Sequence, residues 1–324
     1  MNRVDQAIRS DGAGLSEQQD KPAGLTKYPR VFSFLGLLSM TTKTAVARLS
    51  VISNISLVAG KTVVGLITGS VGILAEAIHS AVDLIAALIA YLAVRVSDAP
   101  PDEAHAFGHG KYENISGTVE ALLIIAAAIY IGYEAILRIL HKAPVEQLGY
   151  GILIMFISAL ANWIVSAKLF KVAEETDSIA LETDGHHLRL DVYTSAGVMV
   201  GLLAVYLTDI VLIDRLLGLA VALWIGWIGW QLSVKAVGPL LDLQLPLPEV
   251  GRIISIIDAD ERVRGYHKLR TRKSGAHRHV DVHLLVPKEM TLVDAHDLAE
   301  EIEDKIRAEF NNVTVLTHVE PEEN

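Results

Sequence analysis

Apolar residues along this chain fall into two textures. Between about residue 45 and residue 237 they form long runs with few charges, and beyond Pro246 and Pro248 they recur at the shorter spacings of a charged, soluble domain. The runs cover residues 45–68, 71–96, 114–139, 149–171, 186–207 and 212–236. Each is near the ~20 residues that cross a hydrocarbon core as a helix. Helices are the expected form, because every backbone group in lipid must find its partner within its own segment. The pattern therefore predicts a six-helix transmembrane domain over residues 43–240 and a small domain over 241–324. In the second region PEVGRIISIIDA has helical periodicity, GYHKLRTRKSG and HRHVDVHLLVP alternate around a Ser-Gly turn, TLVDAHDLAEEIEDKIRAEF is an amphipathic helix, and NVTVLTHVEP closes as a strand. That order, αββαβ, makes an α+β domain. Residues 1–42 are polar, rich in Gly, Ser, Gln and charge, and lack the layout of a signal peptide, so they read as a disordered tail.

Composition agrees with this division. The 324 residues are 51% hydrophobic yet carry a formal net charge of −10, as a membrane domain joined to a charged soluble one would. Cysteine is absent, which excludes disulfides and thiolate metal sites and leaves His, Asp, Glu and main-chain oxygen as metal ligands. The acidic balance, with no basic face, excludes nucleic acid as a partner. An even number of spans places both termini on one side of the bilayer. Lys43, Arg48, Arg95, Lys111, Lys168, Lys171 and Lys235 flank the spans on that side, against Arg138, Lys142 and Arg215 on the other, which predicts cytoplasmic termini. Lys61, inside the first span near its far end, is expected to reach the interface with its long side chain. Trp224, Trp227 and Trp230 read as packing or interfacial anchors.

Two apolar runs contain residues that lipid does not welcome. GILAEAIHSAVDLIAAL holds His79 and Asp83, and DGHHLRLDVYTSAGVMVGLL holds His187 and Asp191. The four-residue spacing stacks each pair on one helix face. A charged side chain near a bilayer centre costs at least ~2.5 kcal/mol on insertion scales, so such residues mark ion sites or pathways more often than packing contacts. Two neutral imidazoles and two carboxylates make a nitrogen and oxygen set carrying two negative charges, which suits a tetrahedral divalent cation such as Zn²⁺. Imidazole also titrates near physiological pH, so metal loss and proton gain can be linked at one site, the chemistry of an exchanger. His186 points ~100° away from His187 on the helix and is not expected to be a ligand. Asp184 and Glu76 are expected at a helix end or in a proton route. In the stretch PPDEAHAFGHGKYEN, Asp102, His105 and His109 can converge on one ion or simply keep a loop hydrated.

The six spans, the two HxxxD pairs in the second and fifth, the loop sequence HAFGHGKYE and the short C-terminal domain together resemble the cation diffusion facilitator family of divalent-metal/proton antiporters, over roughly residues 43–320. The resemblance implies that His79, Asp83, His187 and Asp191 form the transport site. Iron- and zinc-exporting bacterial members usually have Asp at the position of His79, so the two-His, two-Asp pattern implies zinc over iron, cadmium or manganese. It further implies a second zinc on Asp102, His105 and His109, and a Lys111–Asp242 ion pair that holds two protomers together at the membrane surface. The C-terminal domain would be the metallochaperone-like (ferredoxin-like) cytoplasmic dimerisation domain, binding zinc through His267, His283, His296, His318 and Glu320, where the family commonly has Asp at the last. His277 and His279, beside the turn, match no family role and are expected to face solvent.

The expected function is a homodimeric inner-membrane Zn²⁺/H⁺ antiporter, not an enzyme, with no organic cofactor. Fe²⁺, Cd²⁺ and Co²⁺ stay open as substrates. A metal-sensing membrane scaffold without transport is the alternative from another class. An intramembrane metallohydrolase would need an activated water and a general base, and no HExxH pattern occurs.

Overall fold

The computed structural model describes residues 42–68, 71–141, 151–208 and 211–322. The expectation for the N-terminal tail falls outside them, except at Thr42, and the side chains of Glu76, Arg138, Lys142 and Arg215 are also outside the described set. Six long helices account for the apolar runs: α1 Thr42–Thr68, α2 Val71–Ser97, α3 Lys111–His141, α4 Gly151–Thr176, α5 Ile179–Thr208 and α6 Val211–Val237. Among the described residues, five helical segments are long and apolar enough to cross a membrane by length and composition. The remaining helix, α5, has 30 residues and carries Glu182, Asp184, Arg189 and Asp191 in its first half.

Those charges also hid where α5 begins. The sequence reading starts the fifth span at residue 186, whereas the helix starts at Ile179. A neighbouring helix supplies a partner that lets one of these charged residues stay helical, since Lys235 of α6 donates to Glu182 at 2.6 Å, and Asp184, in the second turn of α5, is buried. The start itself is set locally. Asp177 takes a left-handed backbone (φ 54°) that turns the chain out of α4, and the Ser178 carbonyl and hydroxyl then accept from the backbone N–H groups of Glu182 (3.2 Å) and Leu181 (3.4 Å).

The bundle is apolar outside and polar within. Ile52, Ile55, Ile85, Leu122, Tyr130, Leu223, Trp227 and Trp230 are exposed on its outer faces. Ser50, Asn54, Glu113, Glu120, Asp184 and His187 are buried. This inversion suits a lipid surround, where polar groups must face the protein interior. Lys61 is buried, contrary to the expectation that it reaches an interface: its ammonium donates to Ser80 Oγ of α2 at 2.8 Å. A hydroxyl across the helix contact competes with snorkelling.

Beyond a short 3-10 turn at Gly238–Leu241, the second domain runs α7 Leu247–Asp258, β1 Gly265–Ser274, β2 His277–Val286, α8 Leu292–Glu309 and β3 Val313–Pro321. β2 is the middle strand, antiparallel to β1 and parallel to β3. α8 makes the crossover that a parallel pair requires. Val280, Val282, Leu284 and Val286 alternate onto one face of β2 and pack with Ile253 and Ile257 of α7 and Leu298, Ile302 and Ile306 of α8. The αββαβ α+β architecture is as the alternation predicted.

The β1–β2 turn docks against the bundle. Gly275 N donates to Asn114 Oδ1 of α3 at 2.8 Å. Lys273 and Arg278 flank it and pair with Asp177 at 2.5 and 3.1 Å. Gly275 is left-handed (φ +58°), and a Cβ there would lie 2.6 Å from the Gly110 carbonyl oxygen. Gly275→Ala is therefore expected to loosen this joint, by roughly 1–2 kcal/mol from the left-handed backbone alone and more from the clash. Amide hydrogen exchange across residues 274–277 should quicken while the α8 core stays protected; unchanged exchange at the turn would contradict the docking argument.

Candidate metal centre

The two HxxxD pairs meet across α2 and α5, and they meet crosswise. His187 Nε2 of α5 lies 3.1 Å from Asp83 Oδ1 of α2, and His79 Nε2 of α2 lies 3.9 Å from Asp191 Oδ1 of α5. His79, Asp83 and Asp191 offer donor atoms all within 4.8 Å of one another. A zinc ion with ~2 Å bonds in tetrahedral geometry holds its donors roughly 3.3 Å apart, so small side-chain adjustments bring this set onto one ion. Burial is uneven: Asp83 and His187 are 4% and 8% exposed, while His79 opens outward.

Helical geometry sorts the neighbours. His186 turns to α4, where its ring packs edge-on to Phe170 at 4.8 Å. Arg189 also turns that way, stacking its guanidinium over Trp163 at 3.9 Å and donating to Ser166 Oγ. Both therefore leave the face shared by His187 and Asp191. From α4, Asn162 Nδ2 donates to Asp191 Oδ2 at 3.3 Å and orients that carboxylate.

The loop between α2 and α3 brings its three candidates together. Asp102 Oδ1 accepts from the backbone N–H groups of Ala104 and His105 at 3.0 and 2.6 Å, which fixes a tight turn. His105 Nδ1 then lies 3.1 Å and His109 Nε2 3.3 Å from the Asp102 carboxylate. The His105 backbone N–H, by stabilising the ionised form, holds the Asp102 carboxyl below the usual carboxylate range. Next along the chain, Lys111 donates to Asp242 at 3.0 Å, and Arg272 of β1 reaches the same carboxylate at 3.5 Å. Within one protomer this pair ties α3 to the linker and the sheet.

In the C-terminal domain, strand register does what helical spacing does in the bundle. His267, His283 and His318 face one another across β1, β2 and β3. Glu320, two residues beyond His318 on the same face, sits 3.0 Å from His267 Nε2, 2.7 Å from His283 Nδ1 and 3.5 Å from His318 Nε2. The hydrogen bond with His283 lowers the Glu320 pKa. His296 is not brought to this cluster: it lies exposed on α8, 3.5 Å from Glu300.

These sites lie in a chain whose residues 47–241 match the cation efflux transmembrane domain and whose residues 245–322 match the cytoplasmic domain of cation efflux proteins. The chain belongs to the cation diffusion facilitator family. Among relatives, the uncharacterized transporter sll1263 of Synechocystis is 36% identical over 257 residues, 79% of this chain and 83% of that protein. The cation-efflux pump FieF of Klebsiella pneumoniae is 33% identical over 255 residues, 78% of this chain and 84% of that pump. The metal-bound C-terminal domain of the CzcD transporter from Thermotoga maritima aligns at 25% identity over 24% of this chain and 92% of that one, with a TM-score of 0.24. As a cation diffusion facilitator, this multi-pass membrane protein is a divalent cation efflux transporter, not an enzyme, and its C-terminal domain is the family's dimerisation domain.

Sequence reasoning missed three polar groups of this family member. Glu113, 1% exposed, accepts from Lys43 and Ser97 at 2.8 Å each and from Ser178, so it clasps α1, α2 and α5 to α3. Glu120 of α3 is fully buried, and Asn162 orients the tetrad. No motif marks them; only their placement among apolar neighbours does.

His279 corrects the solvent-facing expectation. Alternation puts it on the outer face of β2, but Phe107 of the α2–α3 loop folds over it with ring centroids 5.6 Å apart, leaving it 9% exposed. His277 is half-buried beside it, with Nε2 2.8 Å from Thr314 Oγ1. Burial, followed by the nearby His277 and Arg272, pushes the His279 pKa down from 6.5 to about 4. The unfolded chain then binds a proton that the folded one refuses, so this contribution to stability is full above pH 6.5 and is lost as pH falls toward 4. His279→Gln should flatten that dependence. Following hydrogen exchange of β2 between pH 7 and pH 5 in both proteins tests it, and an equally steep dependence in the variant would refute the assignment.

Proposed function

We propose that this transporter exports Zn²⁺ from the cytoplasm across the bacterial inner membrane in exchange for protons, working as a homodimer with cytoplasmic termini. The observation that carries the proposal is the crosswise pairing of His79, Asp83, His187 and Asp191 between α2 and α5. Two imidazoles and two carboxylates favour a borderline-soft, tetrahedral ion over hard octahedral ones. His187 Nε2 and Asp83 Oδ1 face one another at 3.1 Å, and protons and metal compete for the lone pairs of such groups. Each protomer loads Zn²⁺ on the deprotonated tetrad from the cytoplasm and releases it outward as protons take its place. The clusters at Asp102, His105 and His109 and at His267, His283, His318 and Glu320 bind zinc outside the membrane and favour the dimer competent for transport, a coupling between distinct sites. The Lys111–Asp242 pair braces that assembly at the membrane surface.

Proteoliposomes in which external zinc and internal pH are followed together test this reading. Asp83→Ala or Asp191→Ala should each cut zinc flux at least about tenfold, and ordinary flux by either variant would remove these residues from the transport site. Zinc movement without opposite proton movement would rule out antiport. Zinc binding without any flux would favour the metal-sensing scaffold. Separately, His283→Ala is expected to weaken zinc binding by the C-terminal cluster by about 10–100-fold in competition titrations, leaving zinc at the tetrad in place.

A further inference from the structure

Asp184 is the buried carboxylate for which the transport site has no use. It is 1% exposed, and neither of its oxygens has a hydrogen-bond partner among the described residues. Its neighbour across the α3–α5 contact is Glu120, which is 0% exposed. The two helices close tightly here: a Cβ on Gly117 of α3, about one turn before Glu120, would lie 3.5 Å from Thr183 Oγ1 of α5. One Glu120 oxygen accepts from Ser116 Oγ at 3.2 Å, and the other has no partner among the described residues. From α1, the fully buried Ser50 hydroxyl lies beside Asp184. The titratable groups that face this pair are His187 and Asp83 of the tetrad.

An ionised carboxylate is an acceptor only, and a buried one without donors is costly unless a cation completes it. Two acids and the hydroxyls of Ser50 and Ser116 form an oxygen-rich set of the kind that holds a partly hydrated divalent cation. Its position gives the site a purpose. Asp184 lies about one helical turn nearer than His187 to the start of α5, the end tied to the C-terminal domain through Asp177. We infer that Glu120, Asp184 and Ser50 form a second intramembrane cation site, where the transported divalent ion pauses on its way from the domain-facing end of the bundle to the tetrad. The direction of travel rests on the zinc-export reading above; the existence of the site does not.

The test uses the full-length protein, with Zn²⁺ alone as the probe. In nanodiscs, Asp83→Ala removes the tetrad, and zinc is counted at equilibrium with and without Asp184→Asn or Glu120→Gln. Each added substitution should remove about one further zinc per protomer or weaken it at least about tenfold. In proteoliposomes, Asp184→Asn alone should raise the KM for zinc at least about tenfold with a smaller change in maximal flux. Unchanged zinc stoichiometry and unchanged KM would overturn the site, and so would loss of proton movement with zinc binding intact. Dimer elution and retained zinc at the His283 cluster show that each variant is folded. If the wild-type protein moves no zinc, the export reading fails, and the binding arm alone still decides whether the site exists.

Discussion

The contact between His187 and Asp83 is the one on which the rest of the bundle depends. A carboxylate held among apolar helices is tolerable only when something neutralises or solvates it, and here the partner comes from another helix 104 residues along the chain. That requirement fixes the rotation of α2 against α5. It sends His186 and Arg189 to α4 and brings Asp191 round to His79. The arrangement is half closed, with Asp83 and His187 buried and His79 outward. A site that passes an ion onward needs such asymmetry, since it must hold the ion without trapping it.

Polar contacts outside the tetrad serve the same end. Glu113 holds the starts of α1, α3 and α5 to the end of α2 with a single buried carboxylate. Immediately beside it, Asn114 bridges the β1–β2 turn and the end of α6, donating to the Ala236 carbonyl and accepting from Gly275 N. The C-terminal domain is thus hydrogen-bonded through Asn114 to the base of α3 and the end of α6. The loop with Asp102, His105 and His109 lies in that same joint, because its Phe107 packs on His279 and under Arg272.

Three clusters of imidazole and carboxylate are assembled by three different pieces of local geometry. In the bundle it is the i, i+4 stacking of two helices, in the loop an Asp-initiated turn, and in the sheet the register of three strands. The helical case was legible because His and Asp stand out in an apolar run. The sheet case was legible only as a set of histidines, and register then separated His267, His283 and His318 from His296, which α8 carries elsewhere. His279 was misjudged since alternation assigns a strand face and cannot say that a loop covers it. Lys61 was misjudged for a related reason, a hydroxyl on the neighbouring helix.

By itself, then, the sequence determined a helical membrane domain and the αββαβ order and pointed to the four candidate residues of the tetrad, since hydrophobic length, alternation and charge in apolar runs are local properties of a chain. Only the tertiary structure decided which histidine faces which aspartate, where α5 begins, and that Glu113, Glu120 and Asp184 are buried. Those outcomes follow from which helices touch, and a polar residue's environment is set by neighbours that sequence distance does not reveal.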